Sequence, residues 1–411
     1  MERPSYKPLI KKSPIVFRNS IPEIPTTTYG TFSIFKYPAK FIPQVIAYAL
    51  KEYARNGMEI FDPFAGYGTV GLVSRIYGYN YELWDLNPMI ETIHKTALLS
   101  IPKIDVSKII KDIKQSKKEF IPKWSNINYW IPEQFLPLIS KAWGFVHSQN
   151  DEIKYLLTIP LLKTTRYFSH SDEKIHKLYK SKFSKQKIKK LFREDWETKF
   201  YNMLKREVTV LIMKIHEYSK LNPKEVESKI IAGSDIFDNK LESNKNILIT
   251  SPPYLQAQEY IRSTKLELFF LGYEEKYIKQ LGKKEIPYNH VKGIDIYSEK
   301  YFHYREKIQE EHLIKLYDRY FHSTLNIFQT LGKNITDYMF IFVGSAKIRT
   351  TPIPIDEIII EHLHNFGWMH EITLVDKIVS RVMFQSKINP ASKNEDSRIR
   401  TENLVILKRG Y

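Results

Sequence analysis

EIFDPFAGYGTVGLVSRIYGYNYELWD, residues 59–85, decides how this chain folds. An apolar strand, Met58 to Phe61, runs into the turn-rich DPFAGYGT. GLVSRIYG then reads as a helix that stops at Gly78, because glycine adopts the left-handed conformation that ends helices. YELWD (81–85) is a second strand. Strand, loop, helix and strand within about 30 residues is the opening of a doubly wound α/β sheet.

The same alternation continues on both sides. FIPQVIAYALKEYA, from residue 41, places Ile42, Val45, Ile46, Ala49 and Leu50 at helical spacing, with Pro43 near the start, where a helix tolerates it. Strand character returns at 229–233, 246–250, 338–346, 371–380 and 402–410, giving seven candidate strands. The last two have no helix-sized segment between them and are expected to pair antiparallel as a terminal hairpin. The expected fold is α/β, a doubly wound, seven-stranded Rossmann-like sheet with a large helical insertion. Residues 1–28, rich in Pro, Lys and Thr, read as an extended arm. Residues 96–228 read as a helical, Lys- and aromatic-rich insertion. Residues 29–95 and 229–411 form the sheet domain, interrupted again at 274–310.

Composition narrows the function. Lys+Arg 63 against Asp+Glu 46 gives a net charge of +17, which favours a polyanionic partner such as nucleic acid. The chain has no cysteine, so disulfides, thiolate metal sites and cysteine nucleophiles are excluded. No histidine pair sits at metal-ligand spacing with a third ligand, so no metal is expected. The N-terminus lacks the apolar core of a signal peptide, and no apolar run approaches the roughly 18 residues that span a bilayer. The expectation is a cytoplasmic, DNA-associated protein without a membrane partner.

Gly66-x-Gly68-x-x-Gly71, with Asp85 nineteen positions after Gly66, is formally a dinucleotide fingerprint. In a nicotinamide site the first glycine directly ends the strand. Here Asp62-Pro63-Phe64-Ala65 intervenes, and a carboxylate at the strand tip suits a cationic or hydroxyl-bearing ligand better than a diphosphate. An adenosine carrying a sulfonium and an amino-acid tail, S-adenosylmethionine, meets that demand.

A second unusual element is Ser251-Pro252-Pro253-Tyr254, directly after the apolar run NILIT. Two prolines donate no backbone hydrogen bonds and hold their φ angles fixed. DPFAGYGT with SPPY downstream resembles the amino-methylating DNA methyltransferases, which modify the exocyclic amine of cytosine or adenine. The resemblance covers roughly 25–95, 229–272 and 335–410. It implies that Asp62, Pro63, Phe64, Ala65, Gly66, Gly68 and Thr69 cradle the methionine part of the cofactor. It places Asp85 at the ribose and Asp235, in GSDIFD, near the adenine. Thr31 and Phe32, with Lys40, belong to an N-terminal element beside the methionine tail.

An exocyclic amine is a poor nucleophile because its lone pair is delocalised into the ring. Ser251 Oγ and the Pro252 carbonyl are acceptors for its N–H bonds, Pro252 and Pro253 fix their geometry, and Tyr254 offers a face to a flipped-out base. In the family a serine first residue is more typical of cytosine N4 and aspartate of adenine N6. The expected activity is site-specific methylation of cytosine N4, with adenine N6 the alternative, then an RNA amine or a non-catalytic DNA-binding subunit. Carbon-5 methylation needs a cysteine nucleophile, which is absent. The resemblance further implies a restriction–modification role, with a cognate endonuclease that need not touch this chain. Oligomeric state is left open.

For duplex DNA the candidate contacts lie in two places. KIHKLYKSKFSKQKIKK (174–190) carries eight lysines and no acid; Lys174, Lys177, Lys180, Lys182 and Lys185 are its phosphate candidates. Arg166 precedes it, in a loop before a helix start with Ser171 as N-cap. After the corner, Arg262 and Lys265 are placed to meet a phosphate near the flipped base or to pair with Glu259 or Glu267.

Overall fold

The computed structural model describes residues 9–38, 40–173, 175, 177–255, 259–377 and 401–410. The strands are β1 (Lys12–Ile15), β2 (Glu59–Asp62), β3 (Asn80–Asp85), β4 (Ser228–Ala232), β5 (Lys245–Thr250), β6 (Ile335–Gly344), β7 (Ala346–Ile348), β8 (Thr351–Ile353), β9 (Trp368–Lys377) and β10 (Thr401–Arg409). Eight of them form one sheet in the order β1-β9-β10-β6-β5-β2-β3-β4, while β7 and β8 make a small ribbon. β2, β3, β4, β5 and β6 pair in parallel, as do β1 and β9; β10 runs antiparallel to both neighbours.

The parallel sheet is buried on both faces, which is why its strands read as continuous apolar runs. Successive residues serve opposite cores. Ile60, Leu83, Ile247 and Ile249 pack with helices Pro43–Tyr53 and Thr69–Tyr77. Phe61, Trp84 and Leu248 pack with helices Glu311–Leu331 and Ile355–His364. Gly71 allows the helix Thr69–Tyr77 to approach the sheet: a Cβ there would lie 2.6 Å from the Tyr81 ring and 2.8 Å from His94. In this chain the third glycine of the fingerprint is a packing residue.

The sheet has eight strands where seven were expected, because the segment read as an arm contributes β1. Its four residues, KSPI, alternate exposed and half-buried positions and include Pro14. A proline is tolerated at a sheet edge, where the missing donor faces no neighbour. β9 and β10 pair antiparallel, as their spacing suggested.

Between helix Met89–Ala97 and β4 the described residues are helical or irregular, including Asp151–Tyr167 and the long Trp196–Ser219. Trp196–Ser219 docks on the N-terminal segment. Its Glu217 accepts from Gly30 N–H at 3.0 Å, and Tyr218 donates to the Leu72 carbonyl at 2.7 Å. Gly30 sits so close that a Cβ would meet the Tyr218 backbone at 2.8 Å. In the lysine-rich stretch the helix is Lys182–Leu191, and its N-cap is Ser181, whose Oγ accepts from Ser184 N–H. The Ser171 cap is corrected: Ser171 Oγ is taken by Arg166 instead. In the same stretch Leu178 is buried while Ile175, Tyr179 and Phe183 are exposed.

Candidate active site

β2 and β5 are neighbours, so the turn after Asp62 and the corner after Thr250 leave the sheet side by side. A buried hydrogen bond ties them. Thr250 Oγ1 donates to Asp62 Oδ1 at 2.6 Å, and the same oxygen accepts from Phe64 N–H at 3.0 Å. Asp62 is 1% exposed. Burial pushes its carboxyl up to about 7 against those two hydrogen bonds.

Asp85, at the tip of β3, shapes the glycine loop. Its Oδ2 accepts from Gly66 N–H and its Oδ1 from Asn87 N–H, each at 2.7 Å. Burial raises this carboxyl to about 6. Gly66 (φ +51°) and Gly68 (φ +82°) both adopt the left-handed conformation, which L side chains rarely enter. The loop therefore presents bare backbone between two desolvated acids.

These elements line one cleft that opens to solvent. Pro63, Phe64, Ala65, Gly66, Asp85, Ser251 and Pro253 all line it. The glycine loop and the proline corner thus meet in one cavity. Pro252 is buried behind them. Tyr254 does not line the cleft; its hydroxyl donates to Glu402 Oε1 on β10 at 2.9 Å.

Other candidates sit behind the wall. Thr31 and Phe32 are fully buried; the Thr31 carbonyl accepts from the Tyr67 hydroxyl at 2.5 Å, and Phe32 packs edge-on against Tyr218. Thr31 supports the cleft through Tyr67, which lines it. Thr69 opens its helix and is buried too. Lys40 does reach the cleft while donating to the Thr27 and Phe32 carbonyls, and burial lowers its ammonium to about 8. Asp235 caps the turn Ile236–Asp238 and lies 3.6 Å from Lys284, while its neighbours Ser234, Ile236 and Phe237 line the cleft.

Three lining residues had no signal at motif level. Tyr37 covers Gly66, where a Cβ would meet its ring at 3.2 Å, and stacks on Tyr260 with centroids 6.2 Å apart. Glu285 comes from the second interruption; its Oε1 accepts from Ile261 N–H at 2.9 Å, and burial raises its carboxyl to about 7. Only the β-strand tips announce themselves in sequence. Residues brought in by loops do not.

The DNA candidates divide. Arg166 is corrected from a phosphate contact to a structural latch: Nε donates to Glu267 Oε1 at 2.7 Å, Nη2 to the Ser263 carbonyl at 2.7 Å and Nη1 to Ser171 Oγ. Glu267 is 2% exposed, and a carboxylate so buried must be paired. Lys177 and Arg262 both ion-pair with Glu259. Lys180 donates to the Tyr129 carbonyl and lies over its ring. Lys182 and Lys185 are exposed on their helix, and Lys174 lies outside the described residues. Arg262 and Lys265 line a second cleft, with Trp130, Lys279 and Tyr288, that shares Ile261 and Glu285 with the first. Basic and aromatic side chains together suit a nucleic-acid strand.

Among the described residues no group of three His, Asp or Glu side chains is placed to hold a metal ion, and no helix is long and apolar enough to cross a membrane.

No protein-family model matches the chain, and no solved structure matches it significantly. Two curated proteins do. The Type II methyltransferase M.MvaI of Kocuria varians is 21% identical over 421 aligned residues, covering 91% of this chain and 90% of that protein. The Type II methyltransferase M.BsoBI of Geobacillus stearothermophilus is 23% identical over 279 residues, covering 61% of this chain and 54% of that protein. With a glycine loop and a proline corner meeting in one cleft, the chain is similar over nearly its whole length to a Type II methyltransferase.

Proposed function

We propose that this chain transfers the methyl group of S-adenosylmethionine to the exocyclic N4 of a cytosine flipped out of a specific duplex DNA site, as the modification half of a restriction–modification pair in the cytoplasm. One observation carries the reading: Ser251 and Pro253 share a cleft with Gly66 and Asp85, and Thr250 hydrogen-bonds Asp62 across the two strand tips. The Type II methyltransferase names of both relatives support the reaction class.

The cleft fits S-adenosylmethionine on its own chemistry. Asp62 and Asp85 are desolvated carboxyls with no ion-pair partner among the described residues, so a ligand bearing positive charge and hydroxyl donors matches them. Asp62 and the bare loop at Gly66 would hold the amino-acid end, Asp85 the ribose hydroxyls, and Ser234, Ile236 and Phe237 the adenine. When bound, the cofactor supplies an electrophilic methyl on a cationic sulfur.

The chain's own residues supply the rest. Ser251 Oγ and the Pro252 carbonyl accept the N–H bonds of the target amine and raise electron density on nitrogen. The two prolines keep those acceptors from reorganising as charge develops. Ser251 is too weak a base to ionise the amine beforehand, so the proton leaves during or after transfer. Phe64, Tyr37 and Tyr260 narrow the cleft around the reacting atoms and limit water. The serine at position 251 favours cytosine over adenine. Incubating the chain with methyl-labelled cofactor and either duplex DNA or structured RNA tests the proposal: label in the duplex alone supports it, and label in RNA alone or in neither refutes it.

A further inference from the structure

The two prolines immobilise the backbone of the corner but leave the side chain of Tyr254 with two free torsions. An unanchored ring at the end of the corner would have to be ordered at each encounter with substrate. The structure contains an anchor for this ring that lies far away in sequence. Tyr254 Oη donates to Glu402 Oε1 at 2.9 Å.

The strand order explains how so distant a residue gets there. β6 separates β5, which ends in the corner, from β10, which begins at Thr401. Glu402 stands opposite Gly344, the last residue of β6. Neighbouring strands are about 4.8 Å apart, so two spacings are roughly 10 Å. A tyrosine side chain plus one hydrogen bond covers that span. The glycine at the end of β6 puts no side chain in its way.

On its other side Glu402 stands opposite Asp376 of β9, an arrangement of two acids that a strand pair disfavours. Asp376 is 3% exposed, and burial raises both carboxyls. A leucine or threonine would pack there at less cost. The hydroxyl of the corner tyrosine offsets the burial of the carboxylate at 402 in part, with the nearby Arg18 charge acting in the same direction.

We infer that Glu402 is the positioning residue that anchors Tyr254 and with it the end of the Ser251–Tyr254 corner, so that the C-terminal strand, through this one hydrogen bond, sets the geometry of the catalytic corner. The inference rests on the methyltransferase reading. Its test uses single-turnover methyl transfer from labelled S-adenosylmethionine to a long unmethylated phage duplex, with cofactor affinity measured separately. Tyr254→Phe keeps the ring and removes the donor; Glu402→Ala removes the acceptor; Glu402→Gln keeps an acceptor oxygen.

Tyr254→Phe and Glu402→Ala should each slow transfer about tenfold, the loss expected of one hydrogen bond to a carboxylate. The double variant should be no slower than either single one, because both cut the same bond. Glu402→Gln should recover most of the rate, and cofactor affinity should stay within about twofold throughout. A Glu402→Ala chain at full rate, or a double variant whose loss is the product of the singles, overturns the inference. If Glu402→Ala fails to fold, Tyr254→Phe against Glu402→Gln still decides: a Tyr254→Phe chain at the wild-type rate overturns it. A wild-type chain that transfers nothing to DNA overturns the methyltransferase reading itself, and the inference with it.

Discussion

Replacing Asp62 by asparagine separates the electrostatics of the cleft from its shape. Thr250 and Phe64 both donate to Oδ1, so an asparagine oxygen keeps both hydrogen bonds. What changes is the charge. Burial raises the Asp62 carboxyl from 3.8 to about 7, and a displacement of that size corresponds to roughly 4 kcal/mol between protonation states. The sign follows from proton counting. Between the unfolded and folded values the folded chain holds a proton that the unfolded chain has lost, so stability falls as pH rises through that window and is lowest, for this group, above pH 7. Asp62→Asn should therefore melt with the wild type at about pH 4 and about 5 °C higher at about pH 8, in a thermal scan without cofactor. Addition of S-adenosylmethionine should reverse the order, because a cationic ligand is held by the ionised acid and not by the amide. A melting difference that does not change with pH, or equal stabilisation of both chains by the cofactor, would refute the reasoning.

Further outcomes follow from other contacts. Ser251→Ala should lower methyl transfer by about a hundredfold or more, the scale of losing one preorganised hydrogen-bond partner, with cofactor affinity kept within about twofold; full activity would remove the proposed role of the corner. Arg166→Ala leaves Glu267 buried without its guanidinium and should cost about 3 kcal/mol in a denaturant titration, with Arg166→Lys unable to restore the bidentate pair. Exchanging Lys182 and Lys185 for glutamate should flatten the dependence of log K on log salt for duplex binding by about one to two, without moving cofactor affinity. An unchanged salt slope would move the DNA track elsewhere.

The core of the fold was legible because the central strands carry buried apolar runs such as Ile247–Ile249 and Met339–Val343, and because Asp62-Pro63 and Ser251-Pro252 punctuate the two strand tips that matter. Residues that act through short-range backbone geometry, such as Gly66 and Gly68, carry their reason in their type. β1 was not legible: four residues with a proline and a lysine look like linker, and only the open edge of β9 makes them a strand. Arg166 misled for a related reason. Exposed and buried arginines look alike in sequence, and the partner that claims this one, Glu267, is about a hundred residues away. Tyr37 and Glu285 reach the cleft from irregular segments whose paths no periodicity encodes, and Tyr260 from the first turn of the short helix Tyr260–Ser263.

The central claim, that Ser251 and its prolines activate the amine of cytosine, is tested most directly by the product. Duplex DNA treated with the chain and S-adenosylmethionine is digested to nucleosides and the methylated one identified by mass and retention. The account predicts N4-methylcytosine alone; N6-methyladenine would contradict the base assignment, and 5-methylcytosine would contradict the mechanism.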